Sequence, residues 1–135
     1  CYCSPLLRAK ETAEIMLKNR NVPIICDERL VEMCFGKYEG VENSFQIPEC
    51  PINILFKEPE KYISSVCEAE SFEELFKRTG AFIDEIILPQ LKIGKDILIV
   101  GHGAMNCSII CKIKELPISQ FWSFGIEQCK LIQLL

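Results

Sequence analysis

The sequence predicts an α/β layer fold, and three observations carry that reading. The first is residues 96–104, where the apolar run Ile97-Leu98-Ile99-Val100 meets Gly101-His102-Gly103. A short, β-branched apolar run predicts a strand buried on both faces. From Ala104 to Lys114 the apolar residues return at helical spacing, so a strand gives way to a helix at Gly-His-Gly. The second is the stripe Phe72, Leu75, Phe76, Phe82, Ile83, Ile86 and Ile87, which predicts an amphipathic helix. The third is the order of elements: helix, strand, loop, helix, strand, helix, strand.

Taken in order, Ser4-Pro5-Leu6-Leu7-Arg8 reads as a helix start. Ser4 suits the N-cap and Pro5 the first helical position. Leu6, Ala9, Ala13, Met16 and Leu17 form its stripe, ending near Asn19 to Asn21 before Pro23. Pro23 to Cys26 predicts a short strand. Residues 27–40 have no clear period and read as a structured loop punctuated by Gly36 and Gly40. In residues 41–69, Pro48, Pro51 and Pro59 forbid one long helix and leave short helical pieces. Ser71 and Glu74 predict a capping box for the helix that follows, which Pro89 should end or kink. After the Gly-His-Gly helix, Pro117 breaks the chain and residues 118–124 form a short turn. Residues 127–135 predict a closing strand.

Composition narrows the function. At 135 residues, 49% of them hydrophobic and 25% charged, residues 1–135 read as one globular domain. A net charge of −4, with Lys and Arg scattered among Asp and Glu, argues against nucleic acid or an anionic membrane as partner. No apolar run approaches the roughly 20 residues of a membrane span. Nine cysteines occur without a Cys-x-x-Cys, and one histidine excludes a Cys₂His₂ metal site. They read as reduced, mostly buried thiols of a cytoplasmic protein. The chain opens on Cys1 at what looks like a strand end, so we expect it to start inside a longer protein.

Three residues stand out for chemistry. A lone histidine is more often a satisfied core residue than a functional one. His102, however, sits where a buried strand meets a helix N-terminus, a natural anion site, and Gly103 lets backbone approach a ligand. Arg8 lies in a first helical turn, where a cation opposes the helix dipole. It is either a solvated surface residue or a grip on phosphate or carboxylate. Glu32 sits among Val31, Met33 and Phe35, the setting for a general acid near neutral pH, and Glu39 is its rival; the plainer alternative for either is a solvated loop carboxylate.

Residues 3–13, Cys-Ser-Pro-Leu-Leu-Arg-Ala-Lys-Glu-Thr-Ala, resemble the S-x-L-x-R-A-x-x-T-A signature of the histidine phosphatase (phosphoglycerate mutase-like) superfamily. Residues 30–40 resemble its L-x-E-x-x-F-G-x-W-E-G segment, with Tyr38 for the usual Trp. Val100-Gly101-His102-Gly103 resembles its second-histidine motif, and Glu70-Ser71 through Arg78 its E-S-x-x-x-x-x-x-R pattern. Residues 121–135 resemble its last strand.

The resemblance implies a three-layer phosphoglycerate mutase-like α/β fold with a mostly parallel sheet. It implies that Arg8 binds a phosphoryl group, that Glu32 donates a proton to the leaving oxygen, and that His102 stabilises the phosphoryl oxygens. The implied chemistry is metal-independent and cofactor-free, passing through a phosphohistidine on a small phosphorylated substrate. The family's nucleophile lies in an Arg-His-Gly motif on its first strand, and this sequence holds no such motif. We therefore expect a partial domain that lacks its first strand and is inactive by itself. The short stretch from Val41 to Ala69 favours a small phosphatase, similar to α-ribazole phosphatase. The alternatives are a mutase fragment and an inactive phosphate-binding module.

Overall fold

Three two-residue strands pair in parallel: β1 (Tyr2–Cys3), β2 (Ile25–Cys26) and β3 (Ile99–Val100), in the order β2-β1-β3. This computed structural model describes residues 1–42, 44, 47, 50–124, 127 and 130–135. Register decides the layers. Tyr2 pairs with Ile99 and Cys3 with Val100, and successive side chains point to opposite faces. Cys3 and Val100 pack on Ala9 and Ala13 of α1 (Leu7–Met16), whose small side chains bring that helix close to the sheet. Tyr2 and Ile99 face the other way, toward Phe82, Met105 and Ile109. The Tyr2 ring meets Phe82 edge-on at 5.5 Å. The result is the predicted three-layer α/β arrangement: α1, the sheet, then α3 (Phe72–Phe82) with α5 (Gly103–Lys114).

Helix α5 is buried on two flanks. Ala104, Cys107 and Cys111 join Met33, Leu55, Phe72, Leu75 and Phe121 in one cluster. Met105 and Ile109 join Leu30, Phe82, Ile83 and Ile87 in another. Burial of each large apolar side chain contributes about 1.5–3 kcal/mol, so α5 is fixed firmly in position. Helix α3 opens with the predicted capping box: Glu74 N–H donates to Ser71 Oγ at 3.2 Å, and Ser71 N–H to Glu74 Oε2 at 2.9 Å. Between β2 and α3 lie short pieces, as expected, including α2 (Ile52–Lys57) and 3₁₀ turns at Pro59–Lys61 and Ser64–Val66. Phe56 of α2 stacks on Trp122 at 4.8 Å, and the indole N–H donates to Leu55 O at 2.7 Å.

Four expectations are corrected. Helix α1 starts at Leu7 rather than at Pro5, and Ser4 does not cap it. Leu6 is extended (φ −67°, ψ 138°), and Ser4 N–H donates to Val100 O at 3.0 Å. Sheet pairing thus holds the chain open past the point where local propensity favours a helix. Pro89 does not end its helix. Residues Ile83–Ile87 form a π-helical turn that leads into α4 (Leu88–Lys92), and Pro89 falls in that helix's first turn, where its missing N–H matters least. The strand expected over residues 97–100 is confined to Ile99–Val100, of which Val100 is buried and Ile99 half-buried. Of the expected closing strand, residues 128 and 129 lie outside the described residues, and residues 130–135 form no strand. Pro48 and Cys129 also lie outside the described residues.

Beside β3 an apolar cavity of about 410 Å³ opens, lined by Ile97, Ile99, Ile109, Ile113 and Leu134 among others. Among the described residues β3 pairs only with β1 and is an edge of the sheet. Loop 27–40 turns sharply at Gly36, which has φ +56°. A Cβ there would lie 2.2 Å from the Cys67 carbonyl oxygen, the same atom that accepts the Lys37 N–H at 2.9 Å. Gly36→Ala should therefore lower stability by roughly 2–4 kcal/mol. A urea unfolding midpoint unchanged from the parent would contradict that.

Candidate active site

His102 is the residue just before α5, with extended backbone (φ −129°, ψ 172°) and only 7% exposed. β3 delivers it and α5 fixes it. Its Nδ1 accepts Arg8 Nε–H at 3.2 Å. Guanidinium can only donate, so these hydrogen bonds assign the ring proton to Nε2. Nε2–H then donates to Ser4 Oγ at 2.8 Å. Burial first, then the Arg8 and Arg78 cations, push the imidazole down to about 4. It is a neutral group at pH 7.

Glu32 reaches the same place from loop 27–40. Its Oε1 accepts Met33 N–H at 2.8 Å and Met105 N–H at 3.1 Å, and its Oε2 accepts Ala104 N–H at 3.4 Å. The side chain of His102 does not cap α5. Glu32 supplies the cap from 72 positions away. Arg8, Glu32, His102 and Gly103, the residues singled out in the sequence, thus surround the first turn of α5. Glu39 instead serves its own loop, accepting Phe35 N–H at 2.6 Å.

The sequence reading left two structural partners of this site without a role. Ser4 read as a helix cap, yet it is buried and holds the His102 ring; Leu6 N–H also donates to its Oγ, at 3.3 Å. The serine of the S-x-L-x-R-A signature was the available signal. Arg78 was quoted only as part of a motif. Its Nε meets Glu70 Oε1 at 2.6 Å and its Nη2 meets Glu70 Oε2 at 3.0 Å. Its Nη1 donates to Arg29 O at 2.6 Å and to Val31 O at 2.9 Å. Glu70 in turn accepts Cys34 N–H at 3.1 Å. The pair clamps the backbone on both sides of Glu32. A second clamp acts upstream: Asp27 accepts Arg29 N–H at 2.9 Å, and the Arg29 guanidinium lies over Phe82 at 5.3 Å.

A cation beside a neutral imidazole at the start of a helix can hold an oxyanion. Comparison with known proteins gives the family. The model of the histidine phosphatase superfamily (branch 1) matches residues 1–135. The chain belongs to the histidine phosphatase superfamily. It is 26% identical to the adenosylcobalamin/alpha-ribazole phosphatase of Escherichia coli (strain K12) over 135 residues, covering 93% of this chain and 61% of that protein. Among solved structures, Bacillus stearothermophilus YhfR superposes with a TM-score of 0.77 at 30% identity, covering 90% of this chain and 59% of that one. The alpha-ribazole phosphatase from Shigella flexneri gives a TM-score of 0.71 at 26% identity, covering 94% of this chain and 62% of that one. The chain therefore spans between 59% and 62% of the length of these histidine phosphatase relatives.

Two outcomes follow from the site's electrostatics. Between about pH 6.5 and 4 the unfolded chain binds a proton at His102 that the folded chain does not. Stability should fall as pH drops through that window, by up to about 3 kcal/mol, and the His102 contribution should level off below it. Asp27, held low by Arg29, adds its own loss only below its ordinary value near 3.8. Unfolding free energies for the parent and His102→Gln across this range check it; equal slopes would refute it. Arg78→Met should cost about 2–4 kcal/mol by stranding Glu70 and two carbonyls. Arg78→Lys should restore only part, because an ammonium cannot reproduce the fork. Urea titrations of both variants read the difference.

Proposed function

We propose that this chain carries part of the active site of a phosphomonoesterase that hydrolyses a small phosphorylated metabolite through a phosphohistidine. The observation that carries the reading is the contact of Arg8 with His102 at 3.2 Å, with Glu32 on the next two amides of α5. In this reading Arg8 turns from His102 to grip the phosphoryl oxygens with two parallel N–H bonds. His102 presents an N–H to the same oxygens as charge builds on them. Glu32 returns a proton to the leaving oxygen. Gly103 keeps the start of α5 free of side-chain bulk. Water then hydrolyses the phosphohistidine, and the chemistry rests on positioning and charge stabilisation.

The attacking histidine in this reading is not His102, the one histidine of the sequence. It comes on an Arg-His-Gly segment that adds a strand to the edge of β3, beside the 410 Å³ cavity. Relatives named as phosphatases support hydrolysis, among them phosphoserine phosphatase 1 of Hydrogenobacter thermophilus. A phosphoglycerate mutase of Cytophaga hutchinsonii, 31% identical over 117 residues, keeps mutase chemistry as the second reading.

The test joins an Arg-His-Gly-bearing segment to the chain and measures p-nitrophenyl phosphate hydrolysis and phosphoglycerate isomerisation. Hydrolysis is expected, falling about 10²-fold or more in Arg8→Ala and in His102→Ala. Equal activity in parent and variants would remove these residues from the mechanism. Calorimetry of the unextended chain with inorganic phosphate separates the remaining case. Binding without turnover, even after extension, would make it a phosphate-binding module.

A further inference from the structure

Strands β1 and β2 bring two thiols together one residue before Ser4. Cys3 and Cys26 are register partners, and their sulfurs lie 3.7 Å apart. Cys26 is exposed while Cys3 is fully buried. Adjacent strands run about 4.8 Å apart, inside the roughly 4.4–6.8 Å Cα spacing of disulfides. Joining the sulfurs thus requires side-chain rotation and a slight pinch of two strands, without unfolding. Cys107 and Cys111, which share a face of α5, are both buried and lack an exposed member.

We infer that Cys3 and Cys26 form a reversible oxidation site for hydroperoxides, coupled to His102 through Ser4. The exposed Cys26 meets the oxidant. Its thiolate sulfur attacks the peroxide, the O–O bond breaks, and a sulfenic acid forms with release of water or an alcohol. The Cys3 sulfur then attacks the sulfenyl sulfur. The S–S bond forms, the S–O bond breaks, and the departing hydroxide leaves as water with the Cys3 proton. One peroxide is reduced by two electrons and two thiols become one disulfide. Burial raises the Cys3 thiol above its ordinary range, so the first attack falls to the exposed Cys26, and Cys3 follows because the sulfenyl sulfur forms beside it. A bond across paired strands is pinched, and such disulfides are the readily reduced ones.

The coupling is short. Asp27 N–H donates to Cys3 O at 3.0 Å and Ser4 N–H to Val100 O at 3.0 Å. Drawing β1 toward β2 therefore pulls on Ser4 directly, and Ser4 Oγ is the acceptor that holds the His102 ring at 2.8 Å.

The test uses the full chain, reduced, then treated with hydrogen peroxide and blocked with N-ethylmaleimide. Trypsin releases residues 1–8 and 21–29. The expected product is these two peptides joined through Cys3 and Cys26 and separated again by dithiothreitol. The ring ¹⁵N signals of the single histidine should shift on oxidation and return on reduction. Cys1→Ser should keep both effects, which removes Cys1 as the partner. Cys26→Ser should lose both, and its exposed position leaves folding intact. Cys26 recovered as a sulfinic acid, or linked to any other cysteine, would overturn the site. A Cys3–Cys26 link that leaves the His102 signals in place would overturn the coupling. Neither readout depends on phosphatase activity, so the outcome stands apart from the proposed function.

Discussion

The first turn of α5 must find acceptors for amides that a helix cannot satisfy itself. His102 precedes that turn and its ring is occupied elsewhere. The acceptor is the Glu32 carboxylate, which holds Ala104 N–H and Met105 N–H. A negative group there also suits the positive end of the helix dipole. This single cap ties an irregular loop to the most buried helix of the molecule. It also fixes where a carboxylate stands relative to the only imidazole.

A loop without a repeating pattern cannot hold such a cap by itself. Arg78 supplies the rigidity by donating to the Arg29 and Val31 carbonyls just before Glu32, with Glu70 closing the arrangement on Cys34 N–H just after it. Both members of the pair are more than four-fifths shielded, with side-chain exposures of 19% and 13%. Their hydrogen bonds are therefore screened little by solvent. The site is thus built from short-range order at α5 and long-range restraint from α3.

Much of this was legible in the residues, for physical reasons that differ by element. The Ser71 capping box and the limits of α5 follow from local chemistry, and both appear as read. The meeting of Arg8 with His102, and of Glu32 with the start of α5, was legible only through the resemblance to the family's motifs; no periodicity connects residues so far apart. Ser4 was misread because Ser-Pro is a strong helix-start signal. Its backbone was already committed to Val100, a partner invisible in a local window. Pro89 was read as an end or a kink, and it does not end the helix: a π turn leads into it, with Ile83 and Ile87 packed in the core. The two-residue length of β3 was not legible either, since apolar content reports burial rather than pairing.

The parallel pairing of β1 with β3 has a consequence for how the protein is made. Ser4 and His102 stand 98 positions apart, and β1 leaves the ribosome long before its partner strand exists. At about 5–20 residues per second that interval is on the order of 5 to 20 s. Throughout it, Cys3, Ala9 and Ala13 lack Val100, the fourth buried member of their cluster. Closing the sheet on β3, and with it the contact between Ser4 and His102, is thus a late event of synthesis.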